Sequence, residues 1–414
     1  MPPLNVELIT IGTELLLGFT VDTNSAFLGQ ALSAAGAHIV RRTSVGDEPD
    51  RIRAAVDEAL QRSGFVITTG GLGPTRDDMS KHVVAELLGL SLQFDDAVWD
   101  AVLARYRRFG RVPAESNRSQ ALVPAGAVAL PNQWGTAPGL WIDSPRGTVV
   151  MLPGVPLEMR MLTEHEVMPR LRERATGTVI RSATLRTCGI PESTLAERIG
   201  ELEDTLAPLT LAYLPGTGGV DLRLTAWNMT PADATHALHH GIEQLRARAL
   251  EWAYGEGEAD LAEVVLQQLR TSGRQLAVAE SCTGGLLGAR LTNVPGGSDV
   301  FLGGSIAYAN AVKESLGVSP ELIAVHGAVS GEVAAAMAAG IAATTAAEVS
   351  VAITGVAGPA GGSEEKPVGT VWFGFSVDGV VEVQRSVFGG TRVEIRERAV
   401  QSALLGLWRR LPAG

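Results

Sequence analysis

The sequence has little of what marks several large classes of protein. It contains two cysteines, Cys188 and Cys282, which lie far apart in the chain. Two separated cysteines exclude a disulfide framework and a cysteine-based metal knuckle, and they fit a reducing compartment. The N-terminal residues lack the basic segment and apolar run of a signal peptide, and no apolar stretch is as long as a membrane span. We therefore expect a soluble, cytoplasmic protein with no membrane partner.

Basic residues are also in the minority, with 34 Lys and Arg against 45 Asp and Glu and a net charge of −11. An acidic chain does not attract nucleic acid through its overall field, so a nucleic-acid partner is not expected. Aromatic residues make up only 5%, whereas glycine is abundant at 48 residues. This composition favours layered α/β domains with close helix–strand packing, and a length of 414 residues predicts two or three of them.

Three regions differ in their pattern. Residues 1–175 alternate strand and helix signals, which predicts a parallel sheet covered by helices. Residues 176–255 indicate a small α+β module, with a helix from Pro191 to Leu202 and a hairpin around the letters GTGG. Residues 256–414 return to an α/β pattern. In parallel sheets ligands bind at the carboxyl ends of the strands, so the motifs at those ends are the candidate sites.

The segment AESCTGG (279–285) joins a predicted strand to a predicted helix. Such a turn exposes the Ser281 hydroxyl, and the amides of Thr283, Gly284 and Gly285 at the helix start can hold an oxyanion or a phosphate. The alternative is that Ser281 and Thr283 only cap the helix. Cys282 is a rival nucleophile, but no histidine lies nearby to lower its pKa, which favours a buried structural cysteine.

A serine without a nearby histidine can be activated by a neutral lysine. Lys313 follows the predicted strand SIAYAN (305–310), on which a period of two would place three residues on one face: Ile306, Tyr308 and Asn310. Tyr308 could then relay or orient a proton between the serine and Lys313. The alternatives are that Tyr308 belongs to the core and that Lys313 lies at a solvated helix start.

The loop TGVAGPAGGSEEKPVGT (354–370) is rich in backbone N–H groups that can wrap a phosphate or ribose. Thr354 and Gly355 lie at its strand end, where they could contact substrate. Further on, Arg392 and Arg396 share one helix face at a spacing suited to phosphate capture. A disordered surface loop and a solvated helix face are the alternatives.

Together with HGAVS (326–330) and FGGTRVEIRERAV (388–400), these motifs resemble the CinA/PncC family over essentially all of residues 256–414. The resemblance implies hydrolysis of nicotinamide mononucleotide to nicotinic acid mononucleotide and ammonia, without a metal or cofactor. It also implies a catalytic Ser–Tyr–Lys arrangement, which falls on Ser281, Tyr308 and Lys313. Thr354 and Arg392 match positions that the family uses around the substrate.

The N-terminal region carries a second set of motifs: GTELLLG (12–18), DTN (22–24), SVGDE (44–48) and TTGGLGPTRDDMS (68–80). The glycines of the last motif are Gly70, Gly71 and Gly73, and they would let a phosphate approach the backbone. Asn24 is a further candidate for binding the substrate. Adjacent carboxylates suit a divalent metal, which could polarise a phosphoryl group; the candidate ligands are Asp77, Asp78 and Asp47, with Glu14 as a further one. The alternative is that Asp77 and Asp78 only complement a helix dipole.

This half resembles the MoaB/MogA molybdopterin-binding fold in the version found at the front of CinA proteins, which implies a metal-dependent ADP-ribose pyrophosphatase. The middle module is similar to the KH-type domain of CinA proteins. Its PGTGG turn (215–219) has no basic residue, so a structural or dimer-forming role is favoured over RNA binding. The chain is thus expected to form a homodimer. Three histidines of the module are predicted on a solvated helix face: His236, His239 and His240.

The complete interpretation is an α/β protein with a three-layer MoaB/MogA-like domain (1–175), a KH-type module (176–255) and a C-terminal amidase domain (256–414). It would recycle pyridine nucleotides by cleaving nicotinamide mononucleotide and ADP-ribose. The alternatives are an N-terminal domain that binds a pterin without cleaving it, a competence-linked partner of DNA-processing proteins, and a degenerate amidase domain.

Overall fold

A computed structural model describes residues 4–174 and 177–412. The chain divides into two compact units, residues 1–181 with 225–237 and residues 182–224 with 238–414. None of the helices in the described residues has the length and apolar character needed to cross a membrane.

The N-terminal sheet begins with an almost uninterrupted run of buried residues, as expected of a strand covered on both faces. The strands of this region are β1 (Leu4–Ile11), β2 (Ala37–Val45), β3 (Phe65–Thr69), β4 (Leu92–Phe94), β5 (Leu122–Pro124), β6 (Val128–Leu130), β7 (Gly139–Ser144) and β8 (Gly147–Leu152). The helices are α1 (Thr13–Leu16), α2 (Thr23–Ala34), α3 (Pro49–Ser63), α4 (Ser80–Leu87), α5 (Asp96–Arg108), α6 (Pro156–Leu162) and α7 (Met168–Arg174), with a 3-10 segment at Glu115–Ala121 and a π-helical segment at Thr163–Val167.

Six of these strands form one sheet in the order β2-β1-β3-β8-β7-β6. The first four are parallel, and β7 runs antiparallel to both of its neighbours, β8 and β6. Separate hydrophobic clusters cover the two faces. The predicted three-layer α/β arrangement is therefore confirmed, and β3 ends at the glycine turn.

The middle segment contains β9 (Val179–Thr187), β10 (Thr210–Gly216), β11 (Gly219–Met229) and β12 (Ala253–Glu256), with α8 (Glu192–Ile199), α9 (Leu202–Thr205) and α10 (Pro231–Arg248). The strands form a sheet in the order β10-β11-β9-β12. The predicted hairpin is confirmed, since the letters GTGG span the connection between β10 and β11. The single helix predicted up to Leu202 is wrong, because the chain leaves the helix at Gly200 with a positive φ of 47°.

The C-terminal region contains β13 (Leu276–Glu280), β14 (Phe301–Ile306), β15 (Val349–Gly355), β16 (Thr370–Val377) and β17 (Val380–Val387). Its helices are α11 (Leu261–Ser272), α12 (Leu286–Thr292), α13 (Asn310–Ser315), α14 (Pro320–His326), α15 (Gly331–Thr345) and α16 (Arg392–Arg410), with a 3-10 turn at Gly297–Asp299. The sheet order is β14-β13-β15-β16-β17. The first three strands are parallel, and β16 runs antiparallel to both of its neighbours, β15 and β17.

From β13 the chain passes first to β14 on one side and later to β15 on the other side. Such a reversal of strand order leaves a crevice at the carboxyl end of the central strand, which is where open α/β sheets bind ligands. The residues that follow β13 are those of the motif SCTGG. The connectivity thus singles out this turn as the centre of a site.

The strand predicted over residues 305–310 is displaced in the structure. β14 ends at Ile306, and Asn310 already begins α13, so the expected shared face of Ile306, Tyr308 and Asn310 is wrong. The cause is the glycine pair that precedes Ser305. A side chain at Gly304 would lie 2.5 Å from the Val278 carbonyl oxygen, so this glycine belongs inside the strand, where it permits close pairing with β13.

Candidate functional site

Ser281 is the first residue after β13 and is almost buried, with 8% of its surface exposed. Its N–H donates to the Ile353 carbonyl at 2.8 Å, which continues the pairing of β13 with β15. No hydrogen bond among the described residues involves its hydroxyl. The serine is therefore fixed through its backbone while its Oγ remains available.

Lys313 lies on α13 with only 2% of its surface exposed. Its Nζ donates to the Ala307 carbonyl at 2.8 Å and to the Tyr308 carbonyl at 3.1 Å. Ala307 follows Ile306, the partner of Glu280 in the sheet, and neighbouring strands are about 5 Å apart. The amine thus lies at the same sheet edge as Ser281, and the alternative of a solvated lysine is wrong.

Burial lowers the pKa of the Lys313 amine, and a smaller electrostatic interaction with Cys282 raises it. Burial also raises the pKa of the Cys282 thiol, to about 11. A thiol with that pKa stays protonated near neutral pH and is a poor nucleophile. Burial therefore leaves Cys282 without the thiolate character of a reactive cysteine.

Tyr308 is neither a core residue nor a bridge between Ser281 and Lys313. Its side chain is 60% exposed, and its hydroxyl accepts a hydrogen bond from Arg392 Nη2 at 3.0 Å. Among the described residues no hydrogen bond links this hydroxyl to the serine or the lysine. Tyr308 contacts Lys313 through its backbone carbonyl instead, because β14 has ended before residue 308.

The loop after β15 is held at several points, so a disordered loop is the wrong alternative. The Gly369 N–H donates to the Val356 carbonyl at 2.7 Å. Arg392 Nη1 donates to the Gly358 carbonyl at 2.6 Å, and Lys366 Nζ donates to the His326 carbonyl at 2.7 Å. Arg392 thus joins the loop to Tyr308, while its guanidinium stays exposed.

Thr354 and Gly355 are the last residues of β15, as predicted. The Thr354 side chain is fully buried, and its hydroxyl donates to the Ala328 carbonyl at 2.7 Å. Its oxygen can still accept a hydrogen bond. The strand ends therefore place Ser281, Ala307 and Thr354 along one edge of the sheet.

The amides at the start of α12 are less available than the sequence suggested. The Gly284 N–H donates to the Ser281 carbonyl at 3.1 Å, and the Gly285 N–H donates to Glu280 Oε2 at 3.0 Å. The N–H of Thr283 has no acceptor among the hydrogen bonds of the described residues. Of the three amides predicted to bind an anion, the structure leaves the one of Thr283 free.

Sequence reasoning missed Glu280, which is buried at the end of an apolar strand. The acidic residue in an otherwise apolar strand was the available signal. Arg396 was predicted to capture phosphate together with Arg392, but in the structure it donates to the carbonyls of Cys282 and Thr283.

In the N-terminal region the glycine turn and Asn24 come together as expected. Asn24 Nδ2 donates to Thr69 Oγ1 at 3.0 Å and to the Gly154 carbonyl at 2.8 Å. Gly70 and Gly71 have φ values of 112° and 68°, which favour glycine. A side chain at Gly71 would collide with the Ser80 hydroxyl, which is buried without a hydrogen-bond partner.

The predicted metal ligands do not come together. Asp78 accepts hydrogen bonds from the backbone N–H and the hydroxyl of Thr75, and Asp47 accepts from the N–H and hydroxyl of Thr13 at 2.9 and 2.8 Å. Within residues 4–174 and 177–412, no three His, Cys, Asp or Glu side chains are placed to hold a metal ion. The expected set of Asp47, Asp77 and Asp78 is therefore not assembled, because nearby donors already satisfy two of its carboxylates. We derive no step through a metal there.

The three histidines of the middle module lie on α10 and are exposed. His239 lies 3.7 Å from the carboxylate of Glu243, one turn further along the helix. The predicted solvated helix face is confirmed.

The chain is thus a multidomain α/β protein with motif-bearing turns at the carboxyl ends of parallel strands in two separate sheets. Residues 7–173 match a family described as "Probable molybdopterin binding domain". Residues 182–255 match "Damage-inducible protein CinA KH domain", and residues 258–411 match "CinA C-terminal domain".

A protein of Gemmatimonas aurantiaca named "CinA-like protein" is 50% identical over 406 residues, covering 97% of this chain and 95% of its own. The chain therefore belongs to the CinA family. Two similar solved structures are CinA from Thermoplasma acidophilum, at 35% identity over 41% of this chain and 98% of that one with a TM-score of 0.38, and the competence/damage inducible protein CihA from Agrobacterium tumefaciens, at 40% identity over 35% of this chain and 89% of that one with a TM-score of 0.34.

Proposed function

We propose that the C-terminal domain hydrolyses the carboxamide of nicotinamide mononucleotide, with Ser281 as nucleophile and Lys313 as base. The observation that carries this proposal is the buried amine of Lys313, which is held at the carboxyl end of β14, the neighbour of the strand that ends just before Ser281. A neutral amine has two N–H groups and one lone pair. If both N–H groups of Lys313 donate to the carbonyls of Ala307 and Tyr308, the lone pair remains to accept a proton.

In the first step the Ser281 oxygen bonds to the carboxamide carbon while its proton passes to Lys313. The C–N bond then breaks, and ammonia leaves with that proton. Water hydrolyses the resulting ester, which restores the serine and releases nicotinic acid mononucleotide. The N–H of Thr283 is the donor proposed for the oxyanion, since it has no acceptor among the described residues, unlike those of Gly284 and Gly285.

Arg392 is the residue proposed to bind the substrate phosphate, because its guanidinium is exposed and retains further N–H donors. Tyr308 accepts from Arg392 in the structure, which supports a role in positioning that arginine beside the ligand. A proton relay through the Tyr308 hydroxyl would need the side chain to turn inward. No metal or cofactor takes part in these steps.

The test is ammonia release from nicotinamide mononucleotide by the wild-type protein and by Ser281→Ala. Loss of a nucleophile that acts with its base is expected to lower kcat by about a thousandfold or more. Cys282→Ala is the matched control, and it is expected to retain most of the activity. Equal release by the wild-type and Ser281→Ala proteins would refute the serine mechanism.

For the N-terminal domain we propose binding of a phosphate-containing nucleotide, with ADP-ribose as the candidate, at the turn of Gly70, Gly71 and Gly73. The unpartnered Ser80 hydroxyl beside Gly71 supports a ligand at this turn. Formation of AMP and ribose 5-phosphate from ADP-ribose, with and without added divalent metal, tests hydrolysis. Saturable binding of ADP-ribose without product formation would favour the alternative, in which the domain binds a ligand, such as a pterin, without cleaving it.

A further inference from the structure

The turn from Ser281 to Gly285 is held between two charged side chains from outside it. Glu280, at the end of β13, is 2% exposed. Its carboxylate accepts from the N–H groups of Gly285, Leu287 and Gly288 at 3.0, 3.1 and 2.8 Å. Arg396, from α16, binds the carbonyls on the other side of the turn.

The carboxylate of Glu280 fills the position at the start of α12 that an anion would otherwise take. The first N–H groups of a helix lack intrahelical acceptors, and negative charge is favoured there. No side chain of the N-cap residue, Gly285, is available to satisfy them. The protein therefore uses its own buried anion at this helix start, which excludes these amides from binding the oxyanion of a reaction intermediate.

The Arg396 guanidinium determines the direction of the Thr283 amide. Nε donates to the Cys282 carbonyl at 3.1 Å, and Nη2 donates to the Thr283 carbonyl at 2.7 Å. In a trans peptide the C=O and N–H groups point in opposite directions. Because the Cys282 carbonyl faces Arg396, the N–H of Thr283 in the same peptide unit faces away from it.

We propose that Arg396 is a positioning residue for deamidation: it aims the Thr283 N–H at the oxyanion while Glu280 keeps the next amides occupied. The inference rests on the proposed function of this domain. The positive charge of Arg396, next to the Cys282 carbonyl, also polarises the peptide unit between Cys282 and Thr283. This strengthens the Thr283 N–H as a donor. Phosphate binding is left to Arg392, which is exposed, whereas Arg396 is half-buried.

The test compares Arg396→Lys with Arg398→Lys, a change on the same helix. Arg398 donates to the Gly389 carbonyl at 2.8 Å and lies outside the site, so its variant is expected to keep wild-type kinetics. A lysine at 396 keeps the charge but cannot reproduce the two-pronged contact. We expect Arg396→Lys to lower kcat about 10- to 100-fold, somewhat less than the loss of a whole oxyanion donor, with KM changed less than about threefold. Added guanidinium ion should restore part of the kcat of Arg396→Ala.

A second measurement uses the wild-type protein, so it does not depend on the variants folding. The nicotinaldehyde analogue of the substrate should form a hemiacetal with Ser281 and shift the amide proton of Thr283 in the NMR spectrum, while that of Gly285 stays unchanged. A shift of the Gly285 amide proton instead of that of Thr283 would overturn the proposed positioning role of Arg396. An active Arg396→Lys variant that is altered only in KM would overturn it as well. A wild-type protein that releases no ammonia would overturn the proposed function itself.

Discussion

The turn after β13 and the glycine turn after β3 both lie at the carboxyl end of a parallel strand. The polar side chains around the two turns differ in their hydrogen bonds. In the C-terminal domain the cationic side chains of Lys313, Arg392 and Arg396 donate to backbone carbonyls around the serine, and the serine hydroxyl is left unbonded among the described residues. In the N-terminal domain the carboxylates of Asp47 and Asp78 accept from the backbone N–H and the hydroxyl of Thr13 and Thr75. The first arrangement leaves a hydroxyl free to react, whereas the second occupies the carboxylates that a metal would have needed.

The largest expected effect is at the buried amine. Lys313→Arg keeps the positive charge but supplies a group that cannot be deprotonated. Loss of a general base typically costs about a hundredfold to ten-thousandfold in rate, so we expect deamidation to fall by about a thousandfold. Lys313→Met should be equally inactive. Activity of Lys313→Arg close to the wild-type value would remove the main contrast between the two sites.

The same group predicts the pH dependence of the wild-type enzyme. The base must be neutral, and burial lowers its pKa below the usual value of 10.5. The logarithm of kcat/KM should therefore rise with pH and level off below about 10.5. A profile that falls over this range would contradict a lysine base.

An intermediate effect is expected at the buried lysine of the N-terminal domain. Burial lowers the pKa of Lys81 to about 8, and Asp78 raises it to a lesser extent. Its Nζ donates to the Ser119 carbonyl at 2.5 Å. At pH values below 8 the lysine is charged in both the folded and the unfolded chain, so its burial destabilises the folded state. Above about pH 10.5 it is neutral in both.

Consequently the free energy of unfolding of the wild-type protein, relative to that of Lys81→Met, should rise by about 3 kcal/mol between about pH 7 and pH 10.5. Urea denaturation of both proteins at several pH values measures this difference. A difference that stays constant with pH would mean that Lys81 has the same pKa in the folded and unfolded chains. The amines of Lys81 and Lys313 would then not share a pKa lowered by burial.

The smallest expected effect is that of added metal. Because no three ligating side chains are assembled in the described residues, Mg²⁺ or Mn²⁺ alone should change the Tm by less than about 1 °C. Binding at a hundred times Kd would add about 2.7 kcal/mol and a shift of several degrees. A shift of this size in the wild-type protein that is absent from the double variant Asp77→Asn/Asp78→Asn would show that these carboxylates bind a metal. Both domains would then contain an assembled site.

Periodicity predicted the alternation of strands and helices, the hairpin of the middle module and the turn that carries Ser281. It did not predict the end of β14, because the predicted strand began only at Ser305, after a glycine pair that lies inside the observed strand. Nor did it identify β17 or α15, whose alanine-rich face packs closely on Gly374, where a side chain would lie 2.2 Å from the Ala334 carbonyl. Close backbone approach leaves no signal in a hydrophobic pattern.

The succession of strands and helices along the chain followed from local sequence, since the period of the apolar residues is a property of neighbouring positions. The state of each polar group did not, because it depends on burial and on hydrogen-bond partners that only the folded chain supplies. The Glu280 carboxylate closes a helix start, Arg396 reaches back across more than a hundred residues to the same turn and Lys313 is stripped of water. Those three circumstances decide which amide and which amine are free to react, and they exist only once the chain has folded.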